Sequence, residues 1–232
     1  MARNIIEEIR KDAISDIFGN RKFCSCWEIW KPLIKEKCDN CNHAKALLDI
    51  GDSLRDIFKT TRPGSGRGGQ SEMSSAGTLW EAIILWYMNI CLLGSRAVVI
   101  KKSSKLPKPI KDALTVMVFP KKDVFVGEPD LFLTPRARNI DNEKLSNEVA
   151  KYFELFQIGV IQCKSNWNEN SQIPMLWDII YNSGGIPAQH IMVGTETFNL
   201  KDLKRFTYSF VTMPSNDLNI HQQELKYLVL EI

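Results

Sequence analysis

The run LWEAIILWYMNICLLG, Leu79 to Gly94, constrains this chain more than any other stretch. Its apolar residues fall on all sides of a helix, and such a helix has to be enclosed by other elements. Glu81 and Asn89 interrupt the run, which is also short for a bilayer. A buried helix over residues 78–94 is expected, capped at Thr78 or Ser75, with no membrane span.

The rest of the chain has to supply the enclosure. With 232 residues, 44% apolar and 25% charged, it can form one sizeable core, or a core with a small appendage. Thirty basic against 27 acidic residues give a net charge of +3, which permits a nucleic-acid partner without requiring one. The opening MARNIIEEIRKD is broken by charge from its third residue and does not read as a secretory segment. A cytoplasmic location is therefore expected, with the six cysteines as thiols or metal ligands.

Residues 1–60 read as a helical N-terminal region. Ile5, Ile6, Ile9, Ile14 and Phe18 form one stripe that stops at Gly19-Asn20. CWEIWKPLIKE predicts a second helix, kinked or restarted at Pro32. A third follows, with Leu47, Leu48, Leu54 and Ile57 as its apolar face and Gly51 weakening its middle. Residues 61–77 are a Gly/Ser-rich connector, and 78–232 the main core. In that core ALTVMVF, DVFVG, PDLFLTP, GVIQCK, HIMVG and FTYSFVTM predict strands. NEKLSNEVAKYFELFQ and SQIPMLWDIIYNSG predict helices, and the ending HQQELKYLVLEI is open between helix and strand. The expected fold class is α/β (α+β): a mixed sheet flanked by helices, in three layers.

GVIQCK places an amide and an amine two residues apart, so Gln162 and Lys164 share one strand face and Cys163 points the other way. Asp130 opens the strand PDLFL, and if that strand neighbours GVIQCK its carboxylate can stand beside Gln162 and Lys164. Glu81 is a fourth polar group in apolar surroundings. Each has a plainer reading: a turn residue, a snorkelling lysine, a backbone-satisfying amide, a paired acid. Together they suit phosphodiester hydrolysis. Asp130, the amide oxygen of Gln162 and the carbonyl of Cys163 can hold a hard divalent cation, and Lys164 can orient a water. Glu81 is a further candidate ligand.

Pro129-Asp130 followed by Gln162-Cys163-Lys164 resembles the PD-(D/E)XK nuclease superfamily. Ser165 to Asp178, SNWNENSQIPMLWD, resembles the segment after the catalytic strand in type II restriction endonucleases. The resemblance covers about residues 77–200. It implies a restriction-endonuclease-like mixed sheet and Mg2+-dependent cleavage of double-stranded DNA. Asp130, Gln162 and Lys164 then stand at the motif positions, with Glu81 as the preceding helix glutamate. Gln162 replaces a carboxylate and removes one negative charge. The resemblance also implies a homodimer and a cognate DNA methyltransferase as functional partner.

Lys101, Lys102, Lys105, Lys108 and Lys111, with Arg136 and Arg138, are candidate phosphate contacts, or a solvated charged face. Asn166, Asn168, Asn170 and Gln172 can read base edges or serve as turn and cap residues. Ser215 to Glu224 is a second amide-rich stretch. Cys24, Cys26, Cys38 and Cys41 suggest a structural zinc site, against the alternative of buried helix cysteines. Cys91 and Cys163 are expected in the core. Two further readings stay open: a structure-selective repair or junction nuclease, and a non-cleaving DNA-binding protein with a degenerate site.

Overall fold

Asparagine caps divide the N-terminal part into three helices. The computed structural model describes residues 5–39, 42–61, 70–101, 106–118, 123–125, 131–133, 142–164, 191–212 and 230–231. Helix α1 (Ile5–Phe18) stops at the expected Gly19-Asn20. The Asn20 side chain accepts from the N–H of Lys22 at 2.9 Å and of Phe23 at 3.4 Å, starting α2 (Arg21–Cys38). Asn42 does the same for Lys45 at 2.9 Å, starting α3 (His43–Lys59). Pro32 lies inside α2, which forms one helix and does not restart there. Trp30 and Ile34, both buried, hold the flanking turns.

The buried stripe of α3 is Ala46, Ile50, Leu54 and Ile57, with Phe58 beside it. Leu48, expected on that face, is 67% exposed. Gly51 has a definite role: a Cβ there would collide with the Tyr87 hydroxyl, which donates to the Leu47 carbonyl at 2.9 Å. The glycine admits a tyrosine ring against the helix.

Helix α4 (Gln70–Cys91) begins well before residue 78, so the second part of the expected connector is helical. After it come β1 (Val99–Ile100), α5 (Lys108–Ala113), β2 (Val116–Val118), β3 (Asp123–Phe125) and β4 (Leu131–Leu133). Then follow α6 (Asn142–Lys151), β5 (Gln157–Lys164), β6 (Ile191–Val193), β7 (Arg205–Thr212) and β8 (Leu230–Glu231). The short α5 lies in what reads as a charge run. The predicted helix within SQIPMLWDIIYNSG lies outside the described residues.

Five strands form a mixed sheet in the order β1-β4-β5-β7-β8. Strand β5 is antiparallel to β4 and parallel to β7 over its whole length, Gln157 opposite Arg205 through Lys164 opposite Thr212. A second sheet has the order β3-β2-β6.

Alternation along the strands separates two cores. Val99 and Ile161 pack with Trp80, Ile83, Phe58 and Trp30 from α4, α3 and α2. Val98, Ile100, Ile158, Val160, Phe206 and Tyr208 pack on the other side with Ile9, Ile110 and Val149 from α1, α5 and α6. The expected mixed α and β fold therefore forms in three layers. The N-terminal helices α2 and α3 share their core with α4 and the sheet, so the packing does not divide at the connector.

Asn89 and Arg10 explain how polar groups sit inside it. Asn89 donates to the Val99 carbonyl at 2.9 Å and accepts from the Val99 N–H at 3.1 Å, so its amide pairs with a strand residue like a neighbouring backbone. Arg10, 1% exposed, donates to both Glu7 carboxylate oxygens at 3.0 and 3.1 Å. It also donates to the carbonyls of Asn89 at 3.2 Å and Ala97 at 3.0 Å. Every buried charge needs such partners. No helix among the described residues is long and apolar enough to cross a membrane.

Candidate functional site

Strand β5 carries two of the four candidate site residues. Its pattern runs from exposed Gln157 through five buried residues to half-buried Cys163 and Lys164. Val160 belongs to the core shared with α5 and α6, Ile161 to the core shared with α4. Cys163 packs against the α4 side, opposite Gln162, as period two requires. Lys164 ends the strand and stands beside Thr212 across the parallel ladder.

Gln162 is 7% exposed, and its amide oxygen accepts from the Tyr208 hydroxyl at 2.6 Å. That short separation belongs to an O–H···O bond. A carbonyl oxygen has two lone pairs, so Tyr208 engages one and fixes the direction of the other. The donor set thus fits a hard cation at the Gln162 oxygen, with Tyr208 as its orienting neighbour. Sequence pattern alone did not point to Tyr208. Its signal is a hydroxyl on the buried row of FTYSFVT, but its partner is on a strand far away in sequence.

Asp130 lies outside the described residues. Leu131, the next residue of the chain, is paired with Ile161, the residue before Gln162. The predicted neighbourhood of the two strands is therefore present in the ladder.

Glu81 is buried on α4 and ion-paired with Lys101, the residue after β1. The fold thus joins a candidate metal ligand to a candidate DNA contact. Burial of the carboxylate among Trp80, Ala82 and Ile83 makes a cationic partner necessary. Lys108 pairs with Asp112 at 2.5 Å on the surface of α5.

The cysteines are not assembled as the spacing suggested. Helix α2 runs unbroken from Cys24 to Cys38, about 21 Å apart at roughly 1.5 Å per residue. Thiolates on one zinc ion lie within about 4.6 Å of each other. Cys24, Cys26 and Cys38 therefore do not converge, and the Cys24 thiol donates to the Phe18 carbonyl at 3.0 Å. Among the described residues no group of three or more His, Cys, Asp or Glu converges on a metal position. Cys91, expected in the core, is exposed at the end of α4.

Cys41, Lys102, Lys105, Arg136, Arg138, Asn166, Asn168, Asn170 and Gln172 lie outside the described residues, as does the stretch 215–224. No family model matches the chain, and no curated protein matches it.

Proposed function

We propose that the chain is a Mg2+-dependent type II restriction endonuclease that hydrolyses phosphodiester bonds of duplex DNA at a specific sequence. The observation that carries this reading is the β4–β5 ladder, with Leu131 opposite Ile161. It supports a site built where the residues before β4 and the end of β5 meet. A mixed sheet flanked by helices on both faces is the restriction-endonuclease-like arrangement that the PD and QCK motifs imply.

In this reading Asp130, the Gln162 oxygen and the Cys163 carbonyl hold the ion, with Glu81 as a further ligand. Bound Mg2+ polarises the phosphoryl group and acidifies a water. Lys164 orients the attacking water and offsets charge on the phosphate. Tyr208 keeps the Gln162 oxygen aimed. A two-fold dimer matches a palindromic duplex site, and a methyltransferase of the same specificity protects host DNA.

Asp130→Ala and Lys164→Ala are each expected to abolish cutting of duplex DNA while the circular dichroism spectrum stays that of wild type. Cutting by Lys164→Ala at the wild-type rate contradicts the assignment.

One observation favours a second reading, a DNA-binding protein that does not cleave. The Gln162 oxygen and the Glu81 carboxylate both have protein partners, Tyr208 and Lys101. Such a protein retards duplex DNA equally with Mg2+ and with EDTA and leaves it intact.

A further inference from the structure

We infer that β7 forms the second wall of this site: Tyr208 positions the Gln162 amide, and the Thr212 hydroxyl beside Lys164 donates to a phosphate oxygen of the substrate. The identity of that ligand rests on the nuclease reading above, whereas the pairing of strands does not.

Parallel strands carry neighbouring side chains on the same face, so β5 and β7 present matched rows. Ile158 stands beside Phe206, Val160 beside Tyr208, Gln162 beside Phe210 and Lys164 beside Thr212. The first two pairs are apolar core apart from the Tyr208 hydroxyl. Polar chemistry begins at Gln162 and continues to the strand ends at Lys164 and Thr212. The carboxyl ends of parallel strands are where open sheets bind ligands.

Thr212 adds an independent observation. Its hydroxyl oxygen is buried and has no hydrogen-bond partner among the described residues. A buried hydroxyl without a partner costs on the order of 1–3 kcal/mol, and a native fold retains such a group where a ligand or water completes it. Val211 turns into the α4 core, so Thr212 is on the row of Gln162 and Lys164. Phosphate oxygens are strong acceptors, and Lys164 on the neighbouring strand supplies the charge that draws one there.

The test titrates the protein with Mn2+ in the absence of DNA and measures single-turnover cutting of a long duplex. Tyr208→Phe is expected to weaken Mn2+ binding about tenfold, the scale of losing a group that orients a metal ligand. Thr212→Val is expected to slow cutting at least about tenfold at unchanged melting temperature, and Thr212→Ser to restore it. Wild-type Mn2+ affinity in Tyr208→Phe together with wild-type cutting by Thr212→Val overturns the inference and leaves the nuclease reading standing. A wild type that cuts no DNA but loses Mn2+ affinity through Tyr208→Phe removes the nuclease reading and keeps β7 in the metal site. If Tyr208→Phe does not fold, Thr212→Val with its serine rescue decides.

Discussion

The Glu81 carboxylate on α4 is ion-paired with Lys101, the first residue after β1. The pair links the buried helix to the strand that borders β4 in the sheet. It also sets a cation of the protein against any metal ion that Glu81 would bind.

Lys101→Met removes that competitor. If Glu81 assists the metal, half-maximal cutting is expected at a Mg2+ concentration about two- to fivefold lower, the scale of a partly exposed ion pair. The salt dependence of DNA binding should stay as in wild type. A reduced salt slope would instead assign Lys101 to a phosphate contact.

Asn89 holds both backbone groups of Val99. Asn89→Ala leaves a buried N–H and a buried C=O without these partners, and is expected to destabilise the fold by about 2–4 kcal/mol in urea unfolding. Loss below about 0.5 kcal/mol would mean that Val99 finds other partners, as ordinary surface substitutions do.

Gly51→Ala drives a methyl group into the Tyr87 hydroxyl and ring. Overpacking of this kind costs about 1–3 kcal/mol. Removing the hydroxyl with Tyr87→Phe in the same chain is expected to recover part of the loss. A double variant whose loss equals the sum of the two singles would show that the residues do not interact.

Glu7 gives the fold an acid-sensitive contact. The Arg10 guanidinium beside it, and then the Gly94 N–H, hold its carboxyl below the usual carboxylate range despite the opposing effect of burial. A carboxyl depressed in the folded state contributes stability above the unfolded pKa and loses it as pH falls through the folded one. The melting-temperature difference between wild type and Glu7→Gln is therefore expected to be full near neutral pH. It should shrink on acidification below about pH 4.3. A difference that stays constant into acid would assign it to packing instead.

Much of this fold is legible from periodicity. The stop at Gly19-Asn20, the strands around GVIQCK and FTYSFVT, and the enclosure of the apolar helix all follow from local pattern. Leu48 and Leu47 misled because a run of adjacent leucines does not reveal which residue the neighbouring helix covers. The early start of α4 was hidden because serines and Gly77 read as connector, whereas packing of the following turns extends the helix through them. Cysteine spacing suggested zinc, but a continuous α2 carries Cys24 and Cys38 to opposite ends. Tyr208 could not be read from local sequence, since its bond to Gln162 depends on the parallel register of β5 and β7.

The central claim is tested most directly by incubating the purified protein with a long, unmethylated duplex DNA, in Mg2+ and in EDTA. A ladder of discrete fragments that forms in Mg2+ and is absent in EDTA is the predicted result. DNA that stays intact in Mg2+ while the protein binds it would contradict cleavage and leave the non-cleaving reading in its place.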